Sequence, residues 1–159
     1  MKLRKLAASA LAVATAVFGV SVITASPAAA AAGSWRAYGE TNPIKSSSST
    51  WRCAATRSLG SDIYAQACAV RAGGAGYAVQ AAVIVRNSRA IGTYNAEAAI
   101  TLVDAEFHTG LGRWECPRSG VGADSWSVCF GQTIQYPEPV SVGQAGVNGV
   151  YLPVAGAKV

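Results

Sequence analysis

The segment from Trp51 to Cys129 decides the fold, because it holds all four cysteines in two similar brackets: Trp51-Arg52-Cys53 to Cys68-Ala69-Val70, and Trp114-Glu115-Cys116 to Cys129-Phe130-Gly131. Four cysteines allow three connectivities. The local connectivity is predicted because each pair brackets a hairpin-sized segment. A disulfide that closes a loop of this size stabilises a fold by roughly 3 kcal/mol. We therefore expect two local disulfides, Cys53–Cys68 and Cys116–Cys129, in one small β-domain.

The first 32 residues have the features of an export signal. A basic start is followed by an uncharged apolar run over residues 6–25, and residues 28–32 offer Ala-x-Ala cleavage sites. The run is long enough to raise an uncleaved anchor as the alternative, but Pro27 would end a helix before the alanines. We predict cleavage, and hence a secreted, extracellular protein with no membrane attachment afterwards. Cysteines in an exported chain indicate disulfides, whereas in the cytosol they would raise metal binding.

Removal of the signal changes the charge of the chain. The full sequence has 13 Lys and Arg and 8 Asp and Glu, which gives +5. Three positive charges leave with the signal, so ten basic and eight acidic residues remain and the net charge falls to +2. The remaining basic residues are scattered, whereas a nucleic-acid interface needs a basic cluster. Nucleic acid is therefore not expected as a partner.

The rest of the chain is the size of one domain. Residues 33–50 are polar and end in a serine run typical of a linker or exposed loop. They are predicted to be a partly disordered lead-in to a single domain over residues 51–159. From Trp51 onward the apolar pattern has a period of two, which is clearest over residues 77–86. Its β-branched residues favour strands over helices.

Turn signals divide this pattern into strands. Turns are predicted at residues 59–62, 73–76 and 109–112, and a glycine-containing loop over residues 117–124. Asn148-Gly149 is a two-residue hairpin signal. Roughly seven or eight short strands at this spacing predict an all-β, antiparallel sandwich of the immunoglobulin-like or a similar kind.

Four motifs in this region are similar to those of a known group. They are Trp-x-Cys at 51–53, Gln-Ala-Cys-Ala-Val at 66–70, Gln-Ala-Ala-Val-Ile-Val-Arg-Asn at 80–87 and Cys-Phe-Gly-Gln-Thr at 129–133. This set resembles the small secreted two-disulfide β-domain proteins of actinobacteria, many of which have no assigned activity. The resemblance covers residues 51–136 and implies secretion and a sandwich fold. It carries over no catalytic or binding residue.

Subtilisin inhibitors of the same bacteria provide a second comparison. They are similar in size, are exported, and have a first cysteine interval like Cys53 to Cys68, but their second pair spans a much longer interval. The segment after Cys116 only loosely resembles their inhibitory loop. Arg118 on an exposed loop would fit the specificity pocket of a trypsin-like protease. The alternative is a solvated arginine in a disulfide-tethered turn.

The candidate polar site is Asp104-x-Glu106-x-His108, which a strand would place on one face. Two carboxylates and an imidazole can bind a divalent cation or act as acid and base. The alternative is a solvated strand face near a turn. His108 is the only histidine, and the sequence has neither a Gly-x-Ser-x-Gly nor a Cys-x-x-Cys motif. We therefore predict no catalytic residue, no metal and no cofactor.

Aromatic side chains are the remaining functional lead. They can form a sugar-stacking strip or pack in the core. Trp51 and Trp114 lie two residues before cysteines and are predicted to pack on disulfides. Trp35 and Tyr38 are the predicted ligand-facing aromatics. The others are Trp126, Tyr64, Tyr77, Tyr94, Tyr136 and Tyr151.

Three functions fit these observations. The favoured prediction is a non-enzymatic extracellular binding domain for cell-wall glycan, another polysaccharide or a protein, since no catalytic set is found. The alternatives are a protease inhibitor acting through Arg118 and a small hydrolase that uses His108.

Overall fold

The computed structural model describes residues 30–74 and 76–159, so residues 1–29 of the predicted signal lie outside the described residues. Within the described residues the chain forms twelve strands and no helix, and nothing there could cross a membrane as a helix. The strands are β1 (Ala31–Ala32), β2 (Ser34–Gly39), β3 (Thr50–Cys53), β4 (Arg57–Gly60), β5 (Ile63–Arg71), β6 (Ala78–Asn87), β7 (Tyr94–Asp104), β8 (Gly110–Val121), β9 (Ser125–Phe130), β10 (Ile134–Gln135), β11 (Val140–Val147) and β12 (Val150–Tyr151).

The strands form two sheets that face each other across one core. The five-stranded sheet has the order β1-β8-β7-β11-β12, and the seven-stranded sheet has the order β2-β9-β6-β5-β3, with β10 beside β6 and β4 beside β5. The described pairings are antiparallel, apart from the short parallel contact of β1 with β8. The predicted all-β antiparallel sandwich is confirmed.

The core lies between the two sheets and follows the period of two. Alternate residues of β7 are buried, and so are the same-face residues of β6. These inward positions carry mostly small and β-branched side chains, which interdigitate between the inner faces of the two sheets. They include Val79, Ala81, Val83, Val85, Ala96, Ala98, Ile100 and Leu102.

The two disulfides have the predicted local pairing, which is confirmed. Cys116 of β8 and Cys129 of β9 join the two sheets through the core, with Cα atoms 6.0 Å apart. Cys53 of β3 and Cys68 of β5 join neighbouring strands of the seven-stranded sheet, with Cα atoms 4.0 Å apart. The Cys116–Cys129 disulfide therefore links the two sheets, and the Cys53–Cys68 disulfide holds the edge strand β3 on β5.

Trp114 occupies a slot in the core that is formed by two glycines. Its side chain is buried, and its indole ring lies against Gly112 and Gly131. A methyl group built on Gly131 would come within 2.6 Å of the ring atom Cε3, well inside the best carbon–carbon separation of about 3.5–4.0 Å. A methyl group on Gly112 would overlap the ring as well. Both glycines are therefore required by the position of the indole.

Residues 33–50, predicted to be a partly disordered lead-in, include β2, which pairs with β9 at the edge of the seven-stranded sheet. Residues 40–49, here called the strap, connect β2 to β3, which lie at opposite edges of that sheet. Pro43 is buried, and Ile44 packs on an apolar cluster that includes Ile84 and Val128. The serine-rich segment therefore crosses and covers the outer face of the seven-stranded sheet.

The predicted turn at residues 109–112 and loop at residues 117–124 are wrong, because β8 continues through most of both. Strand β8 lies beside β7. On its other side, within the described residues, its main-chain contacts are with the two residues of β1 and with Gly33, whose N–H donates to the Glu115 carbonyl. An edge strand tolerates Pro117 because a missing N–H there breaks no ladder bond. Glycine and proline in this segment reflect an edge position rather than a break in the strand.

Candidate functional site

A groove with a volume of about 800 Å³ lies on the outer face of the five-stranded sheet. Its lining residues come from all five strands, from β1 at one edge to β12 at the other. The strap covers the corresponding face of the seven-stranded sheet. The two outer faces of the sandwich therefore differ: the strap covers one, and among residues 30–74 and 76–159 nothing covers the other.

The floor of the groove is a row of residues in cross-strand register. Ala32, Glu115, Ala99, Gly146 and Tyr151 are successive partners across β1, β8, β7, β11 and β12. Neighbouring strands are about 4.8 Å apart, so Glu115 and Tyr151 are separated by roughly 14 Å. Only a methyl group and a hydrogen lie between them, at Ala99 and Gly146. The row thus forms a trough with a carboxylate at one end and an aromatic ring at the other.

Tyr151 is held in place by the turn that precedes it. Asn148 and Gly149 have φ angles of 49° and 78°, as a tight hairpin turn requires. The side-chain amide of Asn148 donates to the hydroxyl of Tyr94 (3.0 Å) and to a main-chain carbonyl of β7 (2.9 Å). Its side-chain oxygen accepts the N–H of Glu97 (2.8 Å). These bonds fix the hairpin on β7, and the Tyr151 side chain remains 69% exposed.

A second row of polar residues lies beside the floor. Arg113, Thr101 and Gln144 are successive partners across β8, β7 and β11. The Thr101 hydroxyl donates to the main-chain carbonyl of Gln144 at 3.3 Å. Both Arg113 and Gln144 are exposed. The side of the trough therefore presents a guanidinium, a hydroxyl and an amide.

Two ion pairs belong to the same face. Arg113 Nη2 lies 2.9 Å from Glu115 Oε1, and Arg118 Nη2 lies 3.8 Å from Glu97 Oε2. All four side chains are more than half exposed. The two carboxylates and the two guanidinium groups of these pairs therefore balance each other in charge.

This arrangement suits a ligand that is rich in hydroxyl groups. An exposed tyrosine ring offers apolar area with a polar edge. Carboxylates and guanidinium groups make the stronger, charge-assisted hydrogen bonds, as acceptors and donors respectively. A floor without large side chains lets a ring approach the backbone of the sheet. Together these features give the row apolar area for stacking and donors and acceptors for hydrogen bonds.

The predicted polar site is not assembled as expected. Strand β7 ends at Asp104, and the following residues turn, so the predicted placement of Asp104, Glu106 and His108 on one strand face is wrong. The chain turns there because the Asp104 carboxylate accepts the backbone N–H groups of Glu106 (2.8 Å) and Phe107 (2.6 Å). Asp104 is 1% exposed, whereas Glu106 and His108 are exposed.

The hydrogen bonds of Asp104 also set its protonation. The Phe107 N–H, the Tyr136 hydroxyl at 2.7 Å and the Glu106 N–H lower the pKa of Asp104, and burial opposes them. The hydrogen bond from the Tyr136 hydroxyl to the Asp104 carboxylate raises the pKa of Tyr136, because it favours the protonated phenol. The bonds of Asp104 thus pin a turn. Among the described residues no group of three His, Cys, Asp or Glu side chains is placed to hold a metal ion.

Arg118 lies within β8 rather than on a loop, so the loop prediction is wrong. The register shifts between Ala96 and Ala98, which places Pro117 and Arg118 opposite Glu97 in a β-bulge. Pairing with β7 continues on both sides of the bulge. The side chain of Arg118 is 70% exposed, but its backbone lies in the sheet and does not project as an inhibitory loop does.

The predicted ligand-facing aromatics lie away from the groove. Trp35 is partly buried against the main core, and its indole N–H donates to the Pro117 carbonyl at 2.6 Å. Tyr38 packs on the apolar cluster under the strap, with the guanidinium of Arg36 5.0 Å from its ring centre. Both side chains therefore attach β2 to the sandwich.

Tyr151 is one of several aromatic residues without a distinguishing signal in the sequence. The motifs that include groove residues, Trp114-Glu115-Cys116 and Asn148-Gly149, indicate a disulfide and a turn rather than a binding site. The groove residues come from five separate strands, so only the cross-strand register brings them together. The sequence marks these residues only as outward-facing, because side chains alternate between the two faces of a strand. The groove residues that this alternation marks are Glu97, Ala99, Thr101, Arg113, Glu115, Gln144 and Gly146. Comparison of the chain with protein-family models, curated proteins and solved structures returned no match.

Proposed function

We propose that the protein is a secreted, non-enzymatic binding domain that holds a polysaccharide chain in the groove of its five-stranded sheet. The observation that carries this proposal is the cross-strand row from Glu115 to Tyr151. The row combines an exposed aromatic ring, a floor of small residues and charged hydrogen-bonding groups. Two disulfides within a small all-β domain are consistent with an extracellular setting.

A polysaccharide fits this site better than a peptide does. Extended peptides generally bind to sheets by adding a strand at an open edge, where main-chain groups are free. The groove instead crosses the face of the sheet, where the main-chain groups are already used in the ladders between strands. Recognition there depends on side chains, and hydroxyl groups match the donors and acceptors that the groove presents.

The proposal that the domain is non-enzymatic is supported by the placement of its acidic groups. The carboxylates of Glu97 and Glu115 each lie against an arginine. Asp104 is buried in its turn, where its carboxylate accepts two backbone N–H groups. Each of these three carboxylates therefore already has a partner among the described residues.

The test is depletion of the oxidised protein from solution by insoluble chitin, cellulose and purified bacterial cell wall. We expect at least one of these solids to deplete the protein. Tyr151→Ala should weaken binding by roughly 5- to 150-fold, which corresponds to the loss of about 1–3 kcal/mol measured for aromatic rings that stack on nucleic-acid bases. Tyr77→Ala is the matched control, because Tyr77 is a similarly exposed tyrosine (57%) outside the groove. It should bind as the wild type does.

A groove-filling variant gives an independent reading. The side chain of Ala99 lies in the floor, so Ala99→Trp should block binding and leave the core unchanged. Failure of all three solids to deplete the wild-type protein would refute the proposal. Equal binding by the wild type and both groove variants would place the binding surface elsewhere and would refute it as well.

A further inference from the structure

The two ion pairs of this face, one between the groove residues Arg113 and Glu115 and one between the groove residue Glu97 and its neighbour Arg118, contribute little to folding. Exposed pairs of this kind have small effects on stability, because water screens them and the side chains lose freedom. Arg113 and Glu115 are 56% and 55% exposed, and Arg118 and Glu97 are 70% and 54% exposed. The two pairs on this face are therefore expected to affect the binding of a ligand more than they affect the stability of the fold.

The pairs cancel charge while they keep hydrogen-bonding capacity. Each guanidinium carries five N–H donors, and each carboxylate offers about four acceptor sites. A single contact, such as the 2.9 Å contact of Arg113 with Glu115, uses only part of this capacity. The remaining donors and acceptors stay available to a ligand, while the two charges of each pair compensate at short range.

We propose that the groove selects electrically neutral polysaccharides over anionic and cationic ones. This inference rests on the proposed function. A charged sugar loses hydration when it enters the groove and finds no net opposite charge to compensate for that loss. The hydroxyl groups of a neutral chain find donors and acceptors of both kinds. The ion pairs thus act as specificity determinants, and each arginine prevents its glutamate from attracting cationic chains.

The experiment compares three soluble polymers that share one β-1,4-linked backbone type. Hydroxyethylcellulose is neutral, carboxymethylcellulose is anionic and chitosan is cationic in mildly acidic buffer. Affinity of the full-length mature protein is measured by titration calorimetry in low and in high salt. High salt removes the long-range attraction of a polyanion to a protein of positive net charge. We expect the wild type to bind the neutral polymer most tightly in high salt.

Breaking one ion pair should shift this preference. Arg113→Gln leaves Glu115 without its partner and should improve the ratio of chitosan to hydroxyethylcellulose affinity by about two- to fivefold. Glu115→Gln should shift the ratio towards carboxymethylcellulose by a similar factor. Arg57→Gln and Glu106→Gln are the controls, because they make the same changes in net charge at exposed positions outside the groove. Neither control should shift the ratios.

The outcomes separate this inference from the proposed function. Tighter binding of either charged polymer by the wild type in high salt would overturn the selectivity and leave polysaccharide binding intact. Equal shifts in the groove variants and their controls would show that net charge alone sets the preference, and would overturn it too. No binding of any polymer, together with no depletion by the solids above, would refute both proposals.

Discussion

The Trp114 slot gives a quantitative test of the core. Gly131→Ala adds a methyl group 2.6 Å from Cε3 and 2.7 Å from Cδ2 of the indole. The ring cannot retreat freely, because its other end lies against Gly112. Overpacking of this kind costs about 1–3 kcal/mol, and the reduced entropy of the unfolded chain returns about 0.4–1 kcal/mol. We therefore expect Gly131→Ala to lower the free energy of unfolding by about 1–2 kcal/mol.

The assay is urea unfolding of the oxidised protein, followed by circular dichroism, with the slope of the transition unchanged. Gly110→Ala is the matched control, since a methyl group at Gly110 meets nothing within 4 Å. Its stability should stay the same or rise slightly. In a Trp114→Phe background the smaller ring leaves room, so the cost of Gly131→Ala should fall, which a double-mutant cycle measures. The proposed slot would be refuted if Gly131→Ala kept its full cost in the Trp114→Phe background, or if it had no cost in the protein that retains Trp114.

Replacing Cys116 and Cys129 together by alanine should lower the free energy of unfolding by about 3 kcal/mol, the value for a closed loop of this size. A loss below about 1 kcal/mol in urea unfolding would contradict this. Tyr136→Phe removes a donor to Asp104, whose folded pKa lies below the ordinary value of 3.8. Stability from this group is present above pH 3.8 and is lost as the pH falls through the folded pKa. The Tm deficit of Tyr136→Phe should therefore shrink in acid and be absent in Tyr77→Phe. A deficit independent of pH would exclude this linkage.

Local patterns predicted the parts of the fold that local chemistry determines. The bracketing of Cys53 with Cys68 follows from their spacing on paired strands, and Asn148-Gly149 does form a hairpin turn. The apolar run over β6 predicts a strand correctly, and residues 81–85 are buried because one face of β6 contacts the opposite sheet and the other belongs to the cluster under the strap. In each case the information needed to assign the structure lies within a few residues of the feature.

The errors arose where the environment of a strand overrides its composition. Glycine and Pro117 in β8 resemble turn signals, but an edge strand with few partners tolerates them. The serine run before Thr50 resembles a linker, yet Pro43 is buried and Ile44 packs on an apolar face. Neither an edge position nor a covered face can be read from the segment itself, because both depend on which strands become neighbours.

The groove shows the same limit for function. Ala99 and Gly146 are unremarkable residues in the sequence, and they form a floor only because register places them between Glu115 and Tyr151. A slip of one residue in β7 would turn Ala99 inward and close the trough. The site therefore depends on the sheet register, which the inward-facing residues of β7 fix by their burial.

This dependence separates the residues that hold the fold from those available for binding. Inward residues of the five-stranded sheet, such as Ile100 and Trp114, determine register and stability, while the outward residues between them are free to vary with the ligand. On the seven-stranded sheet the outward face is itself apolar, and the strap occupies it. In the part of the chain that the structure describes, nothing covers the outward face of the five-stranded sheet, and its polar and small residues contribute little to folding. Changes in the groove should accordingly alter binding at nearly constant stability.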